Sequence, residues 1–259
     1  MNNNKIIEIK NLKKDYHVAA ETVRALRGVN INIHEGEFVA IMGASGSGKS
    51  TLLNIIGCLD KPTSGDYWLD GENVKSMKRN QLAEIRSMKL GFVFQSYNLL
   101  PRTTALENVE LPLLYNSKIS SRIRREKAEH ALEAVGLTDR MNHLSSQMSG
   151  GQQQRVAIAR SLVNDPVIIL SDEATGNLDT RTSYEILALF QQLNEKGKTI
   201  GFVTHEPDIA EFTKRNLLFR DGLLINDLKV KNKKHAREAL EELKDESKAL
   251  DELIDQYTT

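Results

Sequence analysis

Hydrophobic and polar residues alternate in two segments near the start of the chain. Residues 6–9 read Ile-Ile-Glu-Ile, and residues 29–33 read Val-Asn-Ile-Asn-Ile. A period of two is typical of strands with one exposed face, so both segments are predicted to be antiparallel strands. Residues 65–71, bounded by glycines, predict a further strand at the edge of that sheet.

Continuous apolar runs predict a second kind of strand. Residues 38–42, 167–170 and 199–203 are apolar almost throughout. They are too apolar for a surface and suit the buried centre of a parallel sheet. Between the first two runs, from about residue 80 to 165, the pattern is mainly helical. The clearest helix of this region is predicted from small and apolar residues at helical spacing, Ala128, Ala131, Leu132 and Val135. Gly136 follows at the position where glycine commonly terminates a helix.

The end of the chain has a different composition. After Leu228 it is charged, helix-prone and without Gly or Pro. We therefore predict one nucleotide-binding domain over residues 1–228, with a helical insertion at about 96–165, and a charged helical extension over 229–259. A heptad spacing in the extension fits either a helix packed along its own domain or one that binds a partner or a second copy. That spacing joins Ala236, Leu240, Leu243, Ser247, Leu250, Ile254 and Tyr257.

Composition excludes several classes of protein. Lys+Arg and Asp+Glu both number 35, and aromatic residues make up 5 % of the chain, which argues against nucleic acid as a partner. The one cysteine, Cys58, excludes an internal disulfide framework. No apolar run approaches the roughly 18 residues of a membrane-spanning helix, and the first residues do not resemble a signal peptide. A soluble, cytoplasmic protein is expected.

The most specific motif follows the first apolar run. Residues 43–50 read Gly-Ala-Ser-Gly-Ser-Gly-Lys-Ser, a complete G-x-x-x-x-G-K-[ST] phosphate-binding loop. A buried strand precedes this P-loop and a helix-forming stretch, 51–56, follows it. Backbone N–H groups at such a helix start surround phosphate oxygens, while Lys49 neutralises the β- and γ-phosphates and the Ser50 hydroxyl holds Mg²⁺. The chain is therefore predicted to bind a nucleoside triphosphate on a P-loop NTPase core of the α/β class.

Two further motifs suit triphosphate chemistry. The run 167–170 leads, through Ser171, to Asp172 and Glu173, acids suited to a Mg²⁺ shell and to the orientation of water. Residues 148–155, which begin Met-Ser-Gly-Gly-Gln, open another helix and offer a second anion site at its N-terminus.

Taken in order, these motifs resemble those of the ATP-binding cassette (ABC) family, the motor subunits of ABC transporters, over about residues 5–228. The resemblance identifies 43–50 as Walker A, 167–173 as Walker B with the catalytic glutamate, and 149–152 as the signature motif. It also implies that Gln95 is the Q-loop glutamine, that 176–179 is the D-loop and that His205 is the switch histidine. The residues implied in catalysis are Lys49, Gln95, Glu173 and His205, and those implied at the metal are Ser50, Gln95 and Asp172. The residues implied in nucleotide binding are Tyr16 (stacked on adenine), Gly43, Ala44, Ser45, Gly46, Ser47, Gly48, Lys49, Ser50, Thr51, Ser149, Gly150, Gly151, Gln152 and Asp179.

The resemblance also implies cofactors and partners. ATP and Mg²⁺ are expected, with an N-terminal antiparallel β-subdomain and a helical signature subdomain around the core. The expected partners are an integral-membrane permease, a second copy of the chain when ATP is bound and, through the permease, a periplasmic or extracellular adaptor. The place of action is then the inner face of the cell membrane. Residues 58–65 and 99–109 look like the macrolide-exporter and lipoprotein-release branch, and a regulatory ATPase of the cell-division type stays open as the alternative.

Two residues depart from the family pattern. Met148 stands where the signature motif usually has leucine, a swap that nearly conserves volume. Ala174 follows Glu173 where proline is usual, which restores a backbone N–H and loosens the turn. Neither change removes a catalytic group, so an active enzyme is expected.

Overall fold

The structure, a computed structural model, describes residues 4–18, 21–116 and 118–244. These residues form two sheets with helices packed around them. The strands are β1 (Lys5–Val18), β2 (Glu21–His34), β3 (Phe38–Met42), β4 (Ser64–Leu69), β5 (Glu72–Asn73), β6 (Leu90–Phe94), β7 (Ile168–Asp172), β8 (Ile200–Thr204), β9 (Arg215–Arg220) and β10 (Leu223–Lys229). The helices are α1 (Lys49–Ile56), α2 (Arg79–Lys89), α3 (Ala105–Glu110), α4 (Ser121–Ala134), α5 (Gly150–Leu162), α6 (Thr180–Glu195) and α7 (Pro207–Ala210), with short 3₁₀ helices at Leu111–Tyr115, Thr138–Arg140 and Ser145–Gln147.

The larger sheet has six strands in the order β10-β9-β3-β8-β7-β6. Every neighbouring pair is parallel except β9 with β10. Successive residues of β3 serve opposite faces, Phe38 in one hydrophobic cluster and Val39 in the other, so the strand is buried on both sides. The prediction of buried parallel strands from continuous apolar runs is confirmed. The segments that leave β3, β6, β7 and β8 meet at one edge of the sheet, where open α/β sheets place their ligands.

The smaller sheet is antiparallel, in the order β2-β1-β4-β5. The two predicted N-terminal strands are confirmed, and each extends to 14 residues. The prediction of an edge position for 65–71 is wrong. Strand β4 pairs with β1 on one side and with β5 on the other. Because β5 has only two residues, it leaves no readable alternation in the sequence.

Helices α3, α4 and α5 pack on one another as a helical unit between β6 and β7. Helix α4 contains the repeat predicted from the sequence, and its Ala128 and Leu132 are fully buried. Gly136 follows with φ +73° and donates its N–H to the carbonyl of Glu133. The expected helix end is therefore confirmed.

The start of the predicted C-terminal extension lies against the domain core. The backbone is helical over residues 236–244, and Ala236 is fully buried in the same cluster as Phe212. Gln191 of α6 accepts from the Ala236 N–H (2.9 Å) and donates to the Lys234 carbonyl (2.7 Å). Of the proposed heptad positions, only 236, 240 and 243 fall within the described residues. The remaining four positions (247, 250, 254 and 257) lie outside them.

These contacts predict how truncation affects stability. Removal of everything after Leu228 takes two partners from the Gln191 amide and removes Ala236 from the hydrophobic cluster, so we expect a loss on the order of 2 kcal/mol in the free energy of unfolding. This corresponds to a fall in Tm of about 4–8 °C. Truncation after Lys244 keeps those contacts and is the matched control, which should melt at a higher temperature than the protein truncated after Leu228. Equal melting temperatures for the two truncated proteins, measured by calorimetry, would contradict the prediction.

Across the described part of the chain, no helix combines the length and apolar character needed to cross a membrane.

Candidate nucleotide site

A cavity of about 1250 Å³ opens where β3, β7 and β8 end. Eleven of the predicted site residues line it, among them Tyr16, the P-loop and three of the four residues proposed for catalysis, Lys49, Glu173 and His205. These residues are Tyr16, Gly43, Ala44, Ser45, Gly46, Gly48, Lys49, Ser50, Thr51, Glu173 and His205. The other predicted residues are not in its lining: Ser47, Gln95, Ser149, Gly150, Gly151, Gln152, Asp172 and Asp179.

The P-loop connects β3 to α1 through a turn that needs glycine. Gly43 has φ +151°, and a Cβ there would lie 2.3 Å from the Phe219 carbonyl oxygen. No side chain fits at that distance, so β9 and the loop approach only because residue 43 has none. Lys49 is 7 % exposed, and its ammonium donates to the carbonyls of Gly43 (2.7 Å) and Ala44 (2.9 Å). The ammonium is thus held within the loop, where a phosphate can replace the two carbonyls.

Glu173 and His205 form a pair at the ends of β7 and β8. The Nδ1 atom of His205 lies 2.8 Å from Oε1 of Glu173. Glu173 has φ +47°, and its N–H donates to the Val203 carbonyl. A non-glycine residue with positive φ is a strained conformation that is common at functional sites. The strand ends therefore direct a carboxylate and an imidazole into the same cavity.

Asp172 is the last residue of β7, and its carboxyl is partly buried. Burial raises the pKa of Asp172, the adjacent Glu173 raises it further, and the Lys49 ammonium opposes both effects. A carboxyl whose charge is disfavoured by an adjacent carboxylate is a favourable position for a cation. Among the described residues, no group of three or more His, Cys, Asp or Glu side chains is placed to hold a metal ion. Mg²⁺ binds through one or two carboxylates together with phosphate oxygens and water, and the Asp172 carboxyl is a donor of that type.

Gln95 follows β6 and is bonded to the D-loop. Its Nε2 donates to Oδ1 of Asn177 (3.1 Å), and Nδ2 of Asn177 donates to the Gln95 carbonyl (3.2 Å). Beyond Gln95, Tyr97 and Asn98 both have positive φ, and the Arg160 guanidinium of α5 donates to both of their carbonyls. The Q-loop is thus tied to the D-loop and to the helix that begins at the signature motif.

The signature motif forms the start of α5. Ser149 is the N-cap: its hydroxyl accepts from the Gln152 N–H, and the Gln152 side chain accepts from the Ser149 N–H. A Cβ on Gly150 would lie 2.8 Å from the Tyr97 hydroxyl, so glycine permits this close approach. Asp179 caps α6 in the same way, accepting from the N–H and hydroxyl of Thr182. These two helix starts lie outside the cavity wall formed by the P-loop.

The two departures from the family pattern lie in well-packed positions. Met148 is 7 % exposed and belongs to the hydrophobic cluster of the helical unit. Ala174 is buried, and its carbonyl accepts from Nε2 of the fully buried Gln154 (2.8 Å).

Sequence reasoning missed one wall of the cavity. Strand β2 is paired with β1 so that Val23 lies opposite Tyr16. The sequence gives no signal for that pairing, because it depends on the register between the two strands, which shifts at several points. The missed lining residues are Thr22, Val23, Arg24, Ala25, Arg27, Met42, Pro207, Leu218, Asp221 and Gly222.

Comparison with known proteins identifies the family. The family profile for "ABC transporter" matches residues 26–176, more than half of the chain. The uncharacterized ABC transporter ATP-binding protein YknY of Bacillus subtilis is 54 % identical over 220 residues, which cover 85 % of this chain and 95 % of that protein. The macrolide export ATP-binding/permease protein MacB of Rhodopirellula baltica is 51 % identical over 228 residues, covering 86 % of this chain and 33 % of that longer protein.

A solved structure agrees with this assignment. The ATP-binding cassette MJ0796, described as a dimer in a post-hydrolysis state with ADP and Pi, has a TM-score of 0.79 and 48 % identity. The match covers 87 % of this chain and 99 % of that chain. The present chain therefore belongs to the ABC transporter family. It is an ATP-binding, ATP-hydrolysing subunit.

Proposed function

We propose that this subunit couples its ATPase cycle to export through a separate integral-membrane permease. The observation that supports the proposal best is the Glu173–His205 pair in the same cavity as the P-loop. Glu173 would orient the attacking water, and His205 would hold that carboxylate and contact the γ-phosphate. Lys49 would leave the Gly43 and Ala44 carbonyls and pair with the β- and γ-phosphates.

The proposed Mg²⁺ site uses oxygen donors from Ser50, Asp172 and Gln95. These are the hard ligands that Mg²⁺ prefers, and the burial of Asp172 beside Glu173, which raises the pKa of Asp172, supports the proposal of a neutralising cation there. Gln95 must exchange its hydrogen bond with Asn177 to reach the ion. When bound, Mg²⁺ neutralises phosphate charge.

The signature motif and Asp179 would act on a second copy of the chain. They lie outside the cavity that holds the P-loop of their own chain, and the similar cassette MJ0796 is described as a dimer. In the proposed dimer, Ser149, Gly150 and Gly151 close over the ATP bound to Lys49 of the other copy. ATP then stabilises the interface, and hydrolysis releases it.

The permease would dock beside the Q-loop. Leu100 is 44 % exposed, and Leu114 and Tyr115, at 54 % and 78 %, are other exposed apolar side chains of the helical unit. Several exposed apolar side chains within one short segment, residues 100–115, are typical of an interaction site. Arg160 and Asn177, through their bonds around Gln95, would transmit movement at this surface to the nucleotide.

A charge at Leu100 is expected to uncouple the complex. Leu100→Asp places a carboxylate in the proposed interface, which costs on the order of 2 kcal/mol, or about thirtyfold in affinity for the permease. Permease-stimulated ATP hydrolysis should fall towards the basal rate, while the subunit alone keeps its basal rate. Leu228→Asp, at an exposed leucine on β10, is the matched control and should keep the stimulation. Loss of basal and stimulated hydrolysis together in Leu100→Asp would contradict the docking proposal.

The proposed place of action is the cytoplasmic, inner face of the cell membrane, with a periplasmic or extracellular adaptor reached only through the permease. The relatives include proteins named for macrolide export, which supports export of a drug, peptide or lipoprotein. Affinity purification of the chain from membranes tests this directly. Recovery of a permease with transport activity supports export. A membrane partner whose complex responds to ATP but transports no cargo would favour the regulatory, cell-division-like alternative.

A further inference from the structure

Asp60 binds the side chain that is proposed to contact adenine. The Tyr16 hydroxyl donates to Oδ2 of Asp60 over 3.0 Å. Tyr16 lines the nucleotide cavity, whereas Asp60 lies in the loop that follows α1. The hydrogen bond therefore joins the aromatic residue of β1 to the segment that begins at the P-loop.

The second oxygen of Asp60 holds a cation against the same ring. Nζ of Lys14 lies 2.7 Å from Oδ1 of Asp60 and 4.8 Å from the centre of the Tyr16 ring. The Lys14 ammonium also donates to the Lys61 carbonyl. Burial acts to raise the pKa of Asp60, but hydrogen bonds from Lys14, the Lys61 N–H and Tyr16 lower it overall. Asp60 is thus an ionised group with both oxygens bonded near one ring.

Backbone contacts fasten the loop to β1 on both sides of Lys14. The Thr63 N–H donates to the Lys13 carbonyl, and the Asp15 N–H donates to the Thr63 hydroxyl, each over 2.9 Å. Since the loop cannot shift along the strand without breaking these bonds, Asp60 is held at a fixed position relative to Tyr16. The hydroxyl bond limits displacement of the whole side chain, and the Lys14 ammonium over the ring face limits rotation of the ring about its own axis.

We infer that Asp60 is a positioning residue, which fixes the Tyr16 ring in the orientation that stacks on the base of the nucleotide. The inference rests on the proposed contact between Tyr16 and adenine. Its consequence is that the segment from Lys49 to Thr63 organises both ends of the ligand, the phosphates through the P-loop and the base through Asp60. A preorganised ring loses less entropy on binding than a mobile one.

The test compares a ligand that has a base with one that has none. Dissociation constants of the full-length protein are measured by calorimetry for ATP and for inorganic tripolyphosphate, both with Mg²⁺. We expect Asp60→Ala to weaken ATP binding about three- to tenfold and to leave tripolyphosphate binding unchanged. Tyr16→Phe, which keeps the ring but loses the hydroxyl, should show the same selective loss. Tyr16→Ala should weaken ATP binding by about tenfold or more and leave tripolyphosphate binding unchanged, because the stacking contact itself is removed.

Controls separate positioning from folding. Asp66 is another aspartate paired with a lysine, since its Oδ1 lies 3.0 Å from Nζ of Lys75. Asp66→Ala should change neither the dissociation constant for ATP nor that for tripolyphosphate. Asp60→Asn keeps an acceptor for the Tyr16 hydroxyl and should recover part of the ATP affinity. Equal weakening of ATP and tripolyphosphate in Asp60→Ala would overturn the inference, because the residue would then act on the P-loop or the fold. Unchanged ATP affinity in Asp60→Ala would also overturn the positioning role of Asp60. If Tyr16→Ala still weakened ATP binding in that case, the proposed stacking of Tyr16 on the base would stand. Unchanged ATP affinity in Tyr16→Ala would remove the stacking role and the inference together.

Discussion

The Glu173→Gln protein is expected to bind ATP with unchanged affinity and to hydrolyse it at least about a hundredfold more slowly. Nδ1 of His205 lies 2.8 Å from the carboxylate of Glu173. Glutamine has nearly the shape of glutamate and can still form this hydrogen bond. What it lacks is the negative charge that attracts a proton from the attacking water. The change therefore affects the chemical step and not the fit of the nucleotide.

Two further variants make this measurement specific. Glu206 is the acid next to His205 in the sequence, but Glu206 does not line the cavity. The Glu206→Gln protein should therefore hydrolyse ATP at the full rate. Lys49→Ala should show the opposite pattern, with ATP binding itself weakened, because the cation for the phosphates is gone. Single-turnover and equilibrium binding measurements separate the two effects. Hydrolysis at the unchanged rate in Glu173→Gln would remove Glu173 from its assigned role.

The second large effect is expected at the signature motif. Ser149→Arg replaces the N-cap of α5 with a long cation and fills the space in which the phosphates of a second copy would lie. Loss of the cap costs about 1 kcal/mol of stability, which a protein of this size tolerates. The composite site could not close, so steady-state hydrolysis should fall at least about a hundredfold while the P-loop of each copy still binds ATP.

The cap loss has a matched control within the chain. Ser120 caps α4 as Ser149 caps α5, accepting from the N–H three residues later. Ser120→Arg therefore removes a similar N-cap from a helix to which we assign no role in nucleotide binding. This protein should keep its rate of ATP hydrolysis. If the two arginine variants lost activity equally, the effect would come from helix stability and not from a shared site.

The catalytic edge of the sheet could be predicted from sequence because each of its parts is local. The apolar run before Asp172 and Glu173 indicates that the strand is buried, and the two acids indicate the chemistry at its end. The glycines of the P-loop likewise specify a turn within eight residues. Such features need no knowledge of distant contacts, and the structure places both acids at the end of the predicted strand, β7.

What could not be predicted depends on contacts between distant segments. The wall formed by β2 requires the register between two strands of 14 residues each, which shifts at several points, and residues 21–25 are mostly exposed. The bond from Tyr16 to Asp60 joins residues 44 positions apart. Burial of Ala236 depends on a glutamine of α6, a residue type that gives no burial signal in sequence. In each case the deciding partner lies outside the window in which periodicity can be read.

In the proposed dimer, each nucleotide site is completed by a second copy of the chain. Light scattering of the Glu173→Gln protein can detect this dimer, because slow hydrolysis should let the ATP-bound state accumulate. With saturating ATP and Mg²⁺, we expect a mass of twice the 29.1 kDa of the chain, and with ADP a return to the single-chain mass. A mass of 29.1 kDa at saturating ATP would contradict it.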